Sequence, residues 1–207
     1  MFEKAVLDLV TRIIANGTLG FLEAIRQYKW LLPQATTAFS SISASAATGA
    51  TAAGLNDPPS PPVMLVDYAP IALLCNAYIT AFNELRQCAP LALIEPLSEV
   101  IKVALRQAAQ DLGNYSASNW TKMKTQEREG FADFCRVFGE VFAPFVVRCV
   151  QAVFPSHPEM VYELISQKEV TTPIASFYEN LKPRAKETLP PQPKSPEKEV
   201  PPVSQSS

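Results

Sequence analysis

A single histidine, four cysteines and a few acid pairs are the residues from which any reaction centre in this chain would have to be built. His157 stands beside Ser156. Side chains of adjacent residues point apart, and no third group is placed to orient the imidazole, so the two do not form a nucleophile and its base. His157 reads instead as a residue at a helix start. Cys75, Cys88, Cys135 and Cys149 form no CxxC pair and lie at no metal-ligand spacing from the histidine. All but Cys88 fall on apolar helix faces, where a free thiol acts as a small hydrophobe. They read as reduced core residues of a cytosolic chain. Glu127 and Glu129 flank Arg128 in a polar stretch, which reads as a solvated helix start and not as a burial-tuned acid–base pair. No HExxH, GxxxxGK[ST] or GxGxxG is present. The expectation is therefore no catalytic, cofactor-binding or metal-ligating residue, no cofactor, and no enzyme.

Charge narrows the partners. The chain of 207 residues carries 18 basic and 20 acidic side chains, net −2. Nucleic-acid binding needs a basic field to displace phosphate counterions, and none exists here. Charged residues make up 18%, below the ~25% of an ordinary soluble domain. Such a chain either hides surface against a partner protein or carries long neutral loops. Interfacial membrane helices line their polar face with Lys and Arg. Here Asp133 and Glu140 offset Arg136 and Arg148, while Glu3 and Asp8 offset Lys4 and Arg12. No uninterrupted apolar run reaches the ~18 residues of a membrane span, so no transmembrane segment is expected. Phe21 to Trp30, with Arg26 and Lys29, faintly resembles a groove-binding peptide, but a buried helix accounts for it better. The triplets at Asn16, Asn114 and Asn119 match a glycosylation pattern, yet the N-terminus lacks a signal-peptide layout.

The elements that would position these residues are helices. Phe2, Val6, Leu9, Val10, Ile13 and Ile14 recur at helical spacing, opposite Lys4, Asp8 and Arg12, in a first helix over roughly 2–30. Gly17 and Gly20 are candidate breaks in it. From Ala35 to Ala53, sixteen of nineteen positions are Ala, Ser or Thr, and a Pro-rich stretch follows. Residues 34–62 read as a flexible linker that cannot bury enough apolar area to offset its ordering entropy. A second helix runs over about 70–88 with Ile71, Leu74, Cys75, Tyr78, Phe82 and Leu85 inward; Asp67 can cap near its start. A third covers about 96–112, ended by Gly113-Asn114. The fourth, about 125–154, has the widest apolar face: Phe131, Phe134, Cys135, Phe138, Val141, Phe142, Phe145, Val146, Cys149, Val150 and Val153. Pro144 lies on its polar stripe, where a proline frees the Glu140 carbonyl and bends the helix round a core. Ser156-His157-Pro158-Glu159 reads as a capping box opening a short fifth helix to about Lys168.

From Lys182 the chain turns Pro- and charge-rich and reads as a disordered tail. Pro190-Pro191-Gln192-Pro193 has the form of a polyproline ligand, and Ser195-Pro196 that of a phosphorylation site. The division is an N-terminal helix (1–33), a linker (34–62), a helical bundle (63–181) and a tail (182–207). The fold class is all-α, an antiparallel bundle of about four to five helices with disordered linker and tail.

Two blocks carry a family resemblance. "PPVMLVDYAPIALLCNAYITAFNELRQCAPLAL", Pro61 to Leu93, holds Ala81, Phe82, Asn83, Glu84, Leu85, Arg86, Cys88, Pro90, Ala92 and Leu93 in a recognisable order. "FADFCRVFGEVFAPFVVRCVQAVFP", Phe131 to Pro155, is an aromatic helix framing a central proline. Both resemble the eighth-subunit family of the conserved oligomeric Golgi complex, and "MFEKAV" is similar to an internal stretch of it. The resemblance covers residues 1–30 and 61–155. Family members are several times longer and carry an N-terminal coiled segment, so the chain looks like a C-terminal portion of such a subunit.

The resemblance implies a non-catalytic part in vesicle tethering, intra-Golgi retrograde trafficking and protein transport. It implies a helical-rod, peripheral protein on the cytosolic face of the Golgi membrane. The implied partners are other subunits of the complex and trafficking proteins on Golgi membranes, without nucleic acid or small-molecule substrate. The alternative is a small cytosolic helical adaptor that recruits partners through its Pro-rich tail.

Overall fold

Apolar residues spaced every three or four positions dominate the chain, and every regular element among the described residues is helical. The computed structural model describes residues 2–31, 59–86 and 89–178. Seven α-helices follow in order: α1 Phe2–Gln27, α2 Ala69–Arg86, α3 Ile94–Asn119, α4 Thr125–Val137, α5 Ala143–Val153, α6 Pro158–Leu164 and α7 Gln167–Tyr178. Short 3₁₀ turns at Val63–Asp67 and Leu91–Leu93 lead into α2 and α3, and a π-turn, Phe138–Phe142, joins α4 to α5. The proposed linker up to residue 58, Cys88 and the tail with its Pro-rich and Ser-Pro motifs lie outside the described residues.

The bundle forms because the predicted stripes meet. All six residues assigned inward on α2 are buried, as are nine of the eleven assigned along α4 and α5; Val141 and Val153 are half-buried. Helix α1 lies on α2 and α3, α2 also packs on α5, and α7 lies on α3 and α4. The end of α1 comes near the start of α2, where Tyr28 feels the charge of Asp67. Their middles meet at Gly17 and Ala77, so the two helices run antiparallel.

Gly17 and Gly20 do not break α1, which is continuous over 26 residues. Gly17 instead lets the two backbones approach: a β-carbon there would overlap that of Ala77. Gly20 faces open space. The pair makes a sign test. Gly17→Ala should lower stability by about 1–3 kcal/mol through overpacking. Gly20→Ala should raise it by about 0.5–1 kcal/mol, since only helix propensity changes. Urea midpoints of the two variants should shift in opposite directions.

Four expectations need correcting. Gly113-Asn114 does not end α3, which runs on to Asn119. Packing overrides the weak local signal: Leu112 and Ser116 are buried on either side, and Gly113 lies beneath the Pro173 carbonyl of α7. The region after residue 155 is two helices and not one. His157, not Ser156, is the N-cap of α6, and no side-chain capping bond forms. The third correction concerns Pro144. The chain accommodates it with a π-turn just ahead, in which the Ala143 N–H donates to the Phe138 carbonyl five residues back. A widened turn moves carbonyls away from the proline ring and absorbs its missing donor. Lastly, α1 is long and apolar enough by length and composition to cross a membrane, despite its interspersed charges. In this fold Val10, Ile14, Phe21 and Ile25 are buried against the bundle.

Candidate functional site

Among the described residues, ring contacts join thirteen aromatic side chains in one network that runs from Phe177 of α7 through Trp30, Phe131 and Phe134 to Tyr78 and Phe82 of α2. The order begins at the end of α1, where the helix gives way to an irregular Tyr28–Leu31 segment in which the Leu31 N–H donates to the Lys29 carbonyl at 2.8 Å. Trp30 turns into the bundle and is 4% exposed. Its ring meets Tyr28, Tyr115, Phe131 and Phe134 at centroid distances of 5.1, 5.3, 4.9 and 5.1 Å. Its indole N–H donates to the Tyr115 hydroxyl at 2.9 Å, so a large apolar body is buried with its one polar atom satisfied. The backbone of Trp30 can come this close because Gly130 lies beneath: a β-carbon there would sit 2.7 Å from the Trp30 carbonyl oxygen. Phe21 extends the cluster to Phe134 and Phe138 at 6.3 and 6.0 Å. Phe138 contacts Phe142, which meets Tyr78 of α2.

One polar node interrupts this apolar field. The Tyr68 hydroxyl donates to the Asp133 carboxylate, and Arg136 donates to the same carboxylate at 2.5 and 3.1 Å. Burial, then the hydrogen bond to Asp133, pushes the Tyr68 hydroxyl far above the usual tyrosine range. A tyrosine kept neutral in this way acts as a donor and not as a base. Arg136 and Asp133 are one helical turn apart, and their pairing fixes the carboxylate that receives Tyr68. The node is thus an anchor between the start of α2 and the face of α4.

The residues first weighed for chemistry are scattered. His157 is half-buried at the start of α6. Glu127 accepts the Lys124 N–H at 2.7 Å and closes the first turn of α4, as its position suggested. Arg128 donates to the Trp120 carbonyl and lies 5.2 Å from the Trp120 ring centroid, a cation–π contact. Among the described residues no group of three His, Cys, Asp or Glu side chains could hold a metal. Cys75, Cys135 and Cys149 are free and buried, in keeping with the core reading. Burial lifts Cys75 to about 11 and Cys149 to about 12, and raises Cys135 as well. Two hollows of about 50 and 130 Å³ lie against α5, below the ~300 Å³ at which small-molecule sites begin.

Sequence reasoning found the α4–α5 aromatic face but missed the Trp30 clamp and the Tyr68–Asp133 bond. A Trp three residues past a helix end, followed by Pro33, was the available signal for the first. The second spans 65 positions and leaves no local trace.

Among the described residues two buried hydroxyls have no partner, those of Tyr78 and Ser98. Leaving a buried donor unpaired costs about 1–3 kcal/mol. Tyr78→Phe should therefore raise stability, by about 1 kcal/mol, with the ring packing on Phe82 and Phe142 kept. Denaturant titration checks this, and a loss of stability would mean that the hydroxyl is bonded.

An all-α bundle whose polar groups serve as anchors and caps, with aromatic side chains filling its seams, belongs to the class of helical packing modules. No family model matches the chain, and no solved structure does. Curated proteins do. The chain is 37% identical over 107 residues to conserved oligomeric Golgi complex subunit 8 of Drosophila melanogaster, which covers 52% of this chain and 19% of the relative. It is 30% identical over 155 residues to the Bos taurus subunit and 28% to that of Homo sapiens, each match covering 75% of this chain and 24% of the relative. The chain is a relative of conserved oligomeric Golgi complex subunit 8. It spans about a fifth to a quarter of the length of the curated relatives it matches.

Proposed function

We propose that the chain is a non-catalytic part of a Golgi vesicle-tethering complex and contributes helix–helix scaffolding to retrograde trafficking and protein transport. The observation that carries this reading is its similarity, over three quarters of its length, to curated subunits of that complex. The geometry supports it: long helices, aromatic seams and polar side chains spent on anchoring. Its partners are the other subunits, and its place is the cytosolic face of the Golgi membrane, held peripherally. In this reading residues 63–181 form the bundle, with α1 docked onto it, and 34–62 and 182–207 are the connecting and terminal segments.

Affinity capture of the full chain from cells, with identification of co-purifying proteins, tests the proposal. Subunits of the oligomeric Golgi complex should be recovered, and should still be recovered after deletion of Lys182 to Ser207. Loss of every binder on that deletion would support the tail-dependent adaptor and sink the scaffold reading.

A further inference from the structure

We infer that the outer face of α5 is a docking surface for an acidic, extended segment of a partner protein, which seats an apolar side chain on each side of the helix and sets a carboxylate against Arg148 and Arg86. Two hollows flank this face. The smaller, of about 50 Å³, lies between α5 and α2 over Ile79, Phe82 and Ala152, with Arg86 on its rim. The larger, of about 130 Å³, lies between α5 and α6 over Val147 and Ile165, with Arg148 and Tyr162 on its rim. At about 100° per residue, Val147 and Gln151 fall on one side of Arg148, and Cys149 and Ala152 on the other. Arg148 therefore crowns the ridge that parts the hollows. The Gln151 side chain donates to the Pro158 carbonyl at 3.0 Å and fixes the wall of the larger one.

Charge says what fits there. The chain is net acidic, at −2, yet Arg86 and Arg148 are the charged residues lining the hollows, and no acid lines either. Both arginines are exposed, and among the described residues neither joins an ion pair. Burial and then Cys75 raise the Cys149 thiol, while both guanidiniums stand near enough to pull it the other way. The two cations thus share one small area. Tyr162, 66% exposed, adds an aromatic rim; tyrosine and arginine are the residues that most often dominate binding energy at interfaces. Spacing selects an extended occupant. A helix is about 10–12 Å across, and three residues of extended chain span about 10 Å. Apolar residues three or four apart, with Asp or Glu between them, reach both hollows over the ridge. An anionic membrane fits less well, because interfacial faces are lined with many Lys and Arg, whereas exposed Glu159 and Glu163 flank Tyr162 here. The inference does not rest on the Golgi reading, and capture of Golgi subunits does not enter its test.

Panning a displayed library of random octapeptides against the full chain tests the surface. Enriched sequences should carry Asp or Glu between apolar residues three or four apart. A fluorescent synthetic copy of the leading sequence should bind the full chain saturably, and about tenfold more weakly after Arg86→Glu/Arg148→Glu, the effect of reversing a complementary charge. Arg86→Gln/Arg148→Gln should weaken it in the same direction. Both side chains are exposed, so both double variants should keep the helicity and Tm of the wild type. Ala152→Leu, which fills the smaller hollow, should weaken binding without any change of charge. No enrichment, enriched sequences without acids, or binding that survives Arg86→Glu/Arg148→Glu would overturn the inference. Flotation with phosphatidylserine vesicles that is lost in the same variant would assign the arginines to a membrane. Concentration-dependent dimerisation lost in that variant would assign the face to a second copy. Either result would overturn the partner assignment.

Discussion

Phe138→Asp should abolish the cooperative unfolding transition of this protein. Phe138 is wholly buried, with ring centroids 6.0 Å from Phe21 and 5.3 Å from Phe142. Truncating such a ring costs about 3–5 kcal/mol. Leaving an unpaired carboxylate in its place adds several more. The sum matches the whole ~5–15 kcal/mol stability of a typical domain. Phe138→Leu, which keeps the burial and loses only shape, should cost about 1.5 kcal/mol and melt cooperatively. Circular dichroism against temperature separates the two. Native helicity and an unchanged Tm in the Asp variant would mean that Phe138 faces solvent and that the seam between α1 and α4 is elsewhere.

Stability should fall steeply in alkali, beginning near the ordinary thiol range. Burial holds Cys75 at about 11, Cys149 at about 12 and Cys135 above its usual value, against 9.0 for a free thiol. Below the free-thiol value all three are protonated in both states, and their contribution is fully present. Between about 9 and 11 the unfolded chain sheds these protons while the folded chain keeps them. The unfolded state then binds fewer protons, so stability drops as pH rises. Each thiol contributes about 1.4 kcal/mol per pH unit, and three give about 4 kcal/mol per unit. Tyr68 and Tyr78, both held protonated by burial, steepen the fall above the ordinary tyrosine range. Urea unfolding in reducing buffer from pH 8 to 11 measures the slope. Replacing the three cysteines by alanine should flatten its first part, and a flat wild-type profile to pH 10.5 would contradict the burial.

What the sequence made legible was set by range. The stripes on α2 and α4 were readable because a helix with one buried face writes its burial at every third or fourth residue. Helix α7 was hidden because Pro173 mimics a helix end, and the continuation of α3 because Gly113 does. In both cases a long-range contact outweighs the local preference, and it is the same contact, between the Pro173 carbonyl and Gly113. Glu127 and His157 were placed correctly at helix starts, although the capping box expected from Ser156 to Glu159 does not form. The anchor of Tyr68 on Asp133 was not, because neither residue shows its partner to a nearest-neighbour reading.

The π-turn between α4 and α5 makes one rod serve two sets of neighbours. An extra residue in a turn rotates everything after it by about 100° relative to an unbroken α-helix. Upstream, Phe131 and Phe134 look toward Trp30, while downstream α5 contacts α2 and α6. Regularising the turn to a plain α-helix without removing a residue would leave the second half turned about 100° away from its neighbours. Like a key cut on two sides, the rod depends on the angle between its edges as much as on the edges themselves.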